Sequence, residues 1–336
     1  TLEQAVRTAP TRRSSALAQD LAGDLIDQNV STHPAAEQAI FLPALAAVTP
    51  EDCVAALRTV WSEAPGRKLF VSGNLALPDP VPAITGAYAA SLKTPVKPGE
   101  QLADAAFAYT HFGPAGKVTS QTEVPDLGAT LIQFANGVRL NLKATDFEAG
   151  RIRISVRLGG GTLTMPMDRP GLALLANVAF TAGGLGRHSA DDLQRILAGK
   201  TVGLAFGAQA DAFAFAATTN RDDLLLQLQL FCAFITDPGY RPESIRQVQK
   251  AAEQLYLRLA HTPDGPLQLE IAPLLAGGDP RFGLPPKDVM LSRSLDELRT
   301  WLTPQFAHGP IEIAIVGDLA PEATIAAVAQ TFGALP

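Results

Sequence analysis

The sequence predicts an α+β protein preceded by a helical segment. Three observations lead there. From about residue 128 the chain runs strands, helices, strands, helices and one returning strand, an order that does not make the βαβ units of a doubly wound parallel sheet. Residues 12–65, by contrast, read as helical. A helix, short turn, strand and glycine also occur twice, at 49–74 and 293–318. The two copies align without a gap: Gly317 lies 244 positions after Gly73, and the same offset carries Val54 onto Leu298, Leu57 onto Trp301, Leu69 onto Ile313 and Val71 onto Ile315.

The elements follow in order. Ala16, Leu17, Leu21 and Leu25 mark a first helix, and the small apolar residues from Ala36 to Leu45 a second. A third opens at Thr49-Pro50-Glu51-Asp52, where a capping hydroxyl, a first-turn proline and acids beside the positive helix end coincide, and runs to about Trp61. Lys68–Ser72 reads as a short buried strand closed by Gly73-Asn74. Prolines at 78, 80, 82, 95, 98 and 114 then interrupt any period, so 77–116 reads as an extended connection with one short helix near 84–92.

A second globular unit is expected to begin near Gly128. Strands at 130–134 and 138–142 meet across Asn136-Gly137, the preferred chemistry of a tight hairpin. Residues 151–158 alternate cleanly, with Ile152, Ile154, Val156 and Leu158 on one face and Arg151, Arg153, Ser155 and Arg157 on the other. Helices are expected at 170–180 and, from the capping box at Ser189–Asp192, to about 197. Strands at 202–206 and 212–217 follow, then helices at 222–234, 242–260, 267–275 and 295–302, a strand at 311–316 and a helix at 322–331.

The 336 residues exceed one ordinary core, and with 47% hydrophobic but only 6% aromatic residues the interior must be built largely from Ala, Leu, Val and Ile. A formal net charge of −6 argues against a general nucleic-acid surface. No apolar run reaches the ~18 residues that a membrane span needs. Cys53 and Cys232 are too few for a disulfide framework and read as separate thiols. The sequence opens on Thr1 with no signal-peptide pattern, as expected of a piece of a longer protein.

Catalytic motifs are scarce. Gly199-Lys200-Thr201 lacks the upstream phosphate-loop glycine, since Gln194 stands there, and it ends a helix where phosphate binding needs one to begin. The glycines at 159–161 and 183–186 read as turns. Of the five histidines only His33 with Glu37 and His308 with Glu312 have ligand spacing, and neither pair reads as helical. The Asp pairs 191/192 and 222/223 sit at helix starts, where the helix dipole accounts for them.

Asn136-Gly137-Val138-Arg139, the strand 151–158, the glycines 159–161, Pro170-Gly171-Leu172-Ala173 and the helix through Phe180 together resemble the start of a domain in the pitrilysin/insulinase family of zinc metallopeptidases. The resemblance continues through Asp237-Pro238-Gly239-Tyr240 and the helix ending near His261. It implies the family's α/β sandwich with a mostly antiparallel sheet, preceded by the helical tail of a related domain. By that alignment Leu174 and Val178 replace the two zinc histidines of H-x-x-E-H and Asn177 replaces the catalytic glutamate. Glu253 is the acid nearest the third ligand's place, so this segment is expected to hold no zinc and to present that helix face as core. Zinc is expected in an upstream catalytic domain.

The resemblance further implies that 1–95 ends a second family domain, 96–125 links two halves and 126–336 is a third, inactive domain. The expected role is to wall a substrate chamber and support closure around a peptide or unfolded polypeptide, with Arg153 and Arg157 as candidate peptide-facing groups. The expected partner is the catalytic half, in the same or another chain, with neither nucleic acid nor a membrane span involved. A non-enzymatic scaffold subunit of the same fold, like the core proteins of the respiratory bc complex, and a stand-alone peptide-binding module are the alternatives. A bacterial parent, periplasmic or membrane-associated, is the first expectation for location.

Overall fold

A computed structural model describes residues 2–61, 68–73, 76–95 and 106–336. Described residues 3–31 and 106–336 form one compact unit, and those between 32 and 95 form another.

The larger unit starts with two short helices, α1 (Leu2–Thr8) and α2 (Ser14–Ile26). The smaller unit holds α3 (Pro34–Ala47), α4 (Pro50–Val60) and α5 (Pro80–Ser91). The Thr49 hydroxyl and the Asp52 carboxylate cap each other's backbone at the start of α4, as the sequence predicts. Residues 68–72 are extended and pair with no strand among the described residues, and Phe70 is 90% exposed. The expected buried strand is therefore absent. A strand needs a neighbour to satisfy its amides and an apolar layer to cover its side chains, and the described residues of this unit supply neither.

The rest of the larger unit is a two-layer α/β sandwich. Its seven strands are β1 (Val118–Val124), β2 (Ala129–Phe134), β3 (Arg139–Ala144), β4 (Ile152–Leu158), β5 (Ala205–Ala208), β6 (Phe213–Thr219) and β7 (Ile311–Gly317). They lie in the order β1-β2-β3-β7-β4-β6-β5, every pairing antiparallel except β3 with β7. The helices are α6 (Leu172–Ala182), α7 (Ala190–Ile196), α8 (Leu224–Thr236), α9 (Pro242–Ala260), α10 (Ala272–Leu275), α11 (Lys287–Leu291), α12 (Leu295–His308) and α13 (Pro321–Gln330).

The period-2 pattern sets the layering. Ile152, Ile154, Val156 and Leu158 are buried with Leu140, Leu142, Ile313 and Ile315 in one core with α6, α8 and α12, while Arg153 and Arg157 stand on the open face. The most deeply buried large residues include Phe134, Phe180, Phe213, Phe215, Phe231 and Phe332, so the few aromatics are concentrated where they fill most volume.

Other elements also depart from expectation, among them β5, which runs 205–208 and not 202–206, and α1 and α11, which no pattern announced. β1 lies inside the segment expected to be linker; as an edge strand exposed along nearly its whole length it carries no alternating signal. Phe107, Tyr109 and Phe112, from the same expected linker, pack against the core. α12 continues through Pro304 to His308 instead of ending at 302. Gly199 does end a helical segment, in the left-handed conformation (φ +76°), and the Lys200 and Thr201 beside it meet the carboxylate of Asp223.

Candidate functional site

α6 begins at Gly171, a residue at φ +95° where a Cβ would come 3.0 Å from the Met290 sulfur and 3.1 Å from Pro285. Leu172, Leu175, Ala176, Ala179 and Phe180 point into the core. At 100° per residue that leaves Leu174, Asn177 and Val178 on the opposite stripe. Leu174 packs half-buried against the core, but Asn177 is exposed and Val178 is 39% exposed, so the expectation that this face had become core fails at those two positions. Asn177 and Val178 remain on the surface of a helix that packs beside edge strand β5.

Asn177 has a structural task there. Its Oδ1 accepts from the backbone N–H of Ala208 at 2.7 Å, tying α6 to the outer edge of β5. In that strand Gly207 faces β6, and Phe206 and Ala208 turn their amides outward, so the amide side chain closes one of the few free edge donors. Glu253 is exposed on α9, a helix packed against α6. Among the described residues no three His, Cys, Asp or Glu side chains gather as metal ligands. Leucine and valine offer zinc no lone pair, so the residues present do not fit the family's metal.

Both arginines on the open face already have partners. Arg153 donates to both carboxylate oxygens of Glu148, at 2.9 and 3.2 Å, and Arg157 meets Gln209 at 3.1 Å and Asp211 at 2.8 Å. The guanidinium groups hold the Glu148 and Asp211 carboxyls below the usual range. His33 caps α3, while His308 ends α12 and Glu312 accepts from Asn141, so neither histidine–glutamate spacing forms a ligand pair. Cys53 is exposed and Cys232 buried; both are free thiols, and burial pushes the Cys232 thiol up.

A polar lock missed at the level of sequence fastens residues 107–109 to the core. His188 is 6% exposed, and its Nε2 accepts from the Ala108 N–H at 3.0 Å between the rings of Phe107 and Tyr109. The Tyr109 hydroxyl donates to Asp237 at 2.5 Å and accepts from the Arg187 N–H at 2.8 Å. Arg241 donates to the carbonyls of Gly183, Gly186 and His188. The aromatic cluster within a proline-rich stretch was the available signal, since a true linker has no use for three rings.

Accepting that hydrogen bond requires a neutral imidazole. Burial, helped by Arg187 and Arg241 and opposed by Asp192, lowers the His188 pKa from its ordinary 6.5. The unfolded chain therefore takes up the proton at higher pH than the folded one. The lock's contribution is complete above about pH 6.5 and is lost as the pH falls below it. Thermal midpoints between pH 8 and pH 5 should fall on the acid side, and His188→Gln, which keeps an acceptor without titrating, should flatten that limb. An unchanged slope in the variant would refute this assignment.

Neither a family model nor a curated protein sequence matches this chain. Solved structures do. The ferredoxin protease FusC, in complex with Arabidopsis ferredoxin, matches 100% of this chain with 38% of its own, at 16% identity and a TM-score of 0.58. The periplasmic protease PqqL from Escherichia coli matches 99% of this chain with 37% of its own, at 19% identity and TM-score 0.58. An inactive peptidase M16 domain from Pseudomonas fluorescens matches 62% of this chain with 51% of its own, at 20% identity and TM-score 0.52. Pitrilysin itself matches 66% of this chain at TM-score 0.52. The chain thus has a pitrilysin/insulinase-type fold and spans less than two fifths of the two proteases that match its whole length.

Proposed function

We propose that this chain is a non-catalytic portion of a zinc-dependent endopeptidase, forming part of the wall of a substrate chamber and supporting closure around a peptide. The observation that carries the reading is the stripe Leu174, Asn177 and Val178. It occupies the face of α6 where the resemblance puts the zinc motif, yet it offers no ligand set, and its amide is tied to a strand edge. The likeness of the whole chain to a minor part of two proteases supports the same reading.

Residues 1–95 would then end a second family-type domain, and 126–336 form the third, inactive domain, with 96–125 joining two halves while lending β1 and the rings at 107–112 to that third domain. The residues between 96 and 105 lie outside those described. Arg153 and Arg157 would contribute to the peptide-facing surface as members of ion pairs. Such partly exposed pairs are worth about 0–1 kcal/mol to stability, so they can exchange partners at little cost.

The purified chain should hold no stoichiometric zinc and cleave no peptide. One tightly held zinc per chain by metal analysis would overturn the alignment of Leu174, Asn177 and Val178. When the chain is titrated into a separately expressed zinc-bearing half, peptide hydrolysis should rise and saturate. Activity that stays flat over a wide range of concentration would refute the chamber role and favour a scaffold subunit.

A further inference from the structure

A cleft of about 1000 Å³ lies between the starts of β3 and β7, the loop after α8 and the second half of α12. Val138, Ile235, Phe306 and Ile311 give it apolar walls. Polar side chains such as Arg299 and Thr303 share the lining with these walls, a mixture suited to a site that must orient a ligand. The Arg299 guanidinium lies 5.1 Å from the centroid of the Tyr240 ring. A cation this close to an aromatic ring is attracted to its face, and its guanidinium N–H groups stay able to donate along the edge. Thr303, four residues on, shares that face of α12.

Tyr240 is held unusually. Its backbone adopts φ +42°, in the left-handed region that a bulky residue rarely occupies, and its ring packs edge-on against Phe180 with centroids 6.4 Å apart. Burial pushes its phenol up, so the hydroxyl remains a donor. Among the described residues, no carboxylate pairs with Arg299, and the hydroxyls of Thr303 and Tyr240 make no hydrogen bond. Arg153, Arg157, Arg195, Arg221 and Arg281 each meet an acid instead. Asp237, the one Asp or Glu in the lining, is engaged by Tyr109.

We infer that this cleft binds a carboxylate carried by a peptide, with Arg299 as its fork and Thr303 and Tyr240 as flanking donors. A planar two-oxygen anion matches the free edge of a guanidinium, and the apolar walls accept the side chains beside it. That the carboxylate belongs to a peptide rests on the peptide-binding reading above; the anion site itself does not.

The test uses the full chain and follows the Arg299 Nε–H resonance during three titrations: an N-acetylated hexapeptide with a free C-terminal carboxylate, the same peptide as its C-terminal amide, and succinate. The free acid should bind at least tenfold more tightly than the amide and move the Arg299 signal. Followed by fluorescence polarisation of labelled peptides, that preference should vanish in Arg299→Ala and shrink in Arg299→Lys, which keeps charge without the fork. Equal affinity for acid and amide would overturn the anion site and leave peptide binding standing. A preference that survives Arg299→Ala would also overturn it. Succinate moving the Arg299 signal while neither peptide binds would keep the anion site and overturn the peptide as its source. Silence in all three titrations would overturn both.

Discussion

Replacing Phe180 by alanine should destabilise the larger unit by about 3–5 kcal/mol, the range for truncating a fully buried aromatic. Phe180 is 1% exposed and sits at the hub of the aromatic cluster. Its ring centroid is 4.3 Å from that of Phe206, 5.4 Å from Phe306, 5.7 Å from Phe234 and 6.0 Å from Phe215. Those partners come from β5, α12, α8 and β6, so the cavity left behind cannot collapse by moving a single element. Both the lost transfer energy and the lost edge-to-face contacts count against the variant. Domains are commonly stable by only about 5–15 kcal/mol, so the loss is a large share of the total. Urea unfolding followed by Trp301 fluorescence, in a Trp61→Phe background, measures it, because Trp301 is buried in this unit beside Phe213. A shift in stability below about 1 kcal/mol would show that Phe180 is not the hub the distances make it.

The same residue shows what was legible in the sequence. A continuous apolar stretch placed Phe180 on a helix and clean alternation placed 151–158 in a strand, and both stand because buried faces demand apolar side chains. The fate of the stripe opposite was not legible. A leucine and a valine in place of histidines suggest burial, yet Leu174 is only half-buried and Val178 stays exposed, because α6 already has five buried residues on its other side. β1 was silent for the related reason that an edge strand with neither face covered has nothing to alternate. The His188 lock and the cleft gather residues from segments far apart in the chain, 107–109 with 183–188 and 237–241, or 136–138 with 235–240 and 299–311. No local pattern encodes such meetings. The internal repeat was legible, but among the described residues its two copies differ: Leu298, Trp301, Ile313 and Ile315 are buried, while Val54, Leu57, Leu69 and Val71 are exposed at the matching places.

That contrast gives the other large effect. Gly317 closes β7 at φ +143°, paired with Ala144 on one side and Ile152 on the other. A Cβ there would fall 2.2 Å from the Arg151 carbonyl oxygen and 2.9 Å from the Ile152 Cα, both backbone atoms that cannot step aside. Gly317→Ala should therefore cost about 2–6 kcal/mol, combining ~1–3 for the disallowed backbone with ~1–3 for overpacking. Gly73, its counterpart in the repeat, has nothing within 4 Å of where a Cβ would be. Gly73→Ala in this chain should change stability by less than about 0.5 kcal/mol. The pair of variants is more informative than either alone. If residues 68–73 complete a sheet supplied by another part of a larger protein, as the proposed reading requires, Gly73→Ala should become damaging once that part is bound, lowering the yield of the reconstituted complex while leaving the isolated chain untouched. Equal reconstitution by the parent sequence and by Gly73→Ala would mean that 68–73 never enters a sheet as β7 does, and that the repeat records ancestry without a shared structure.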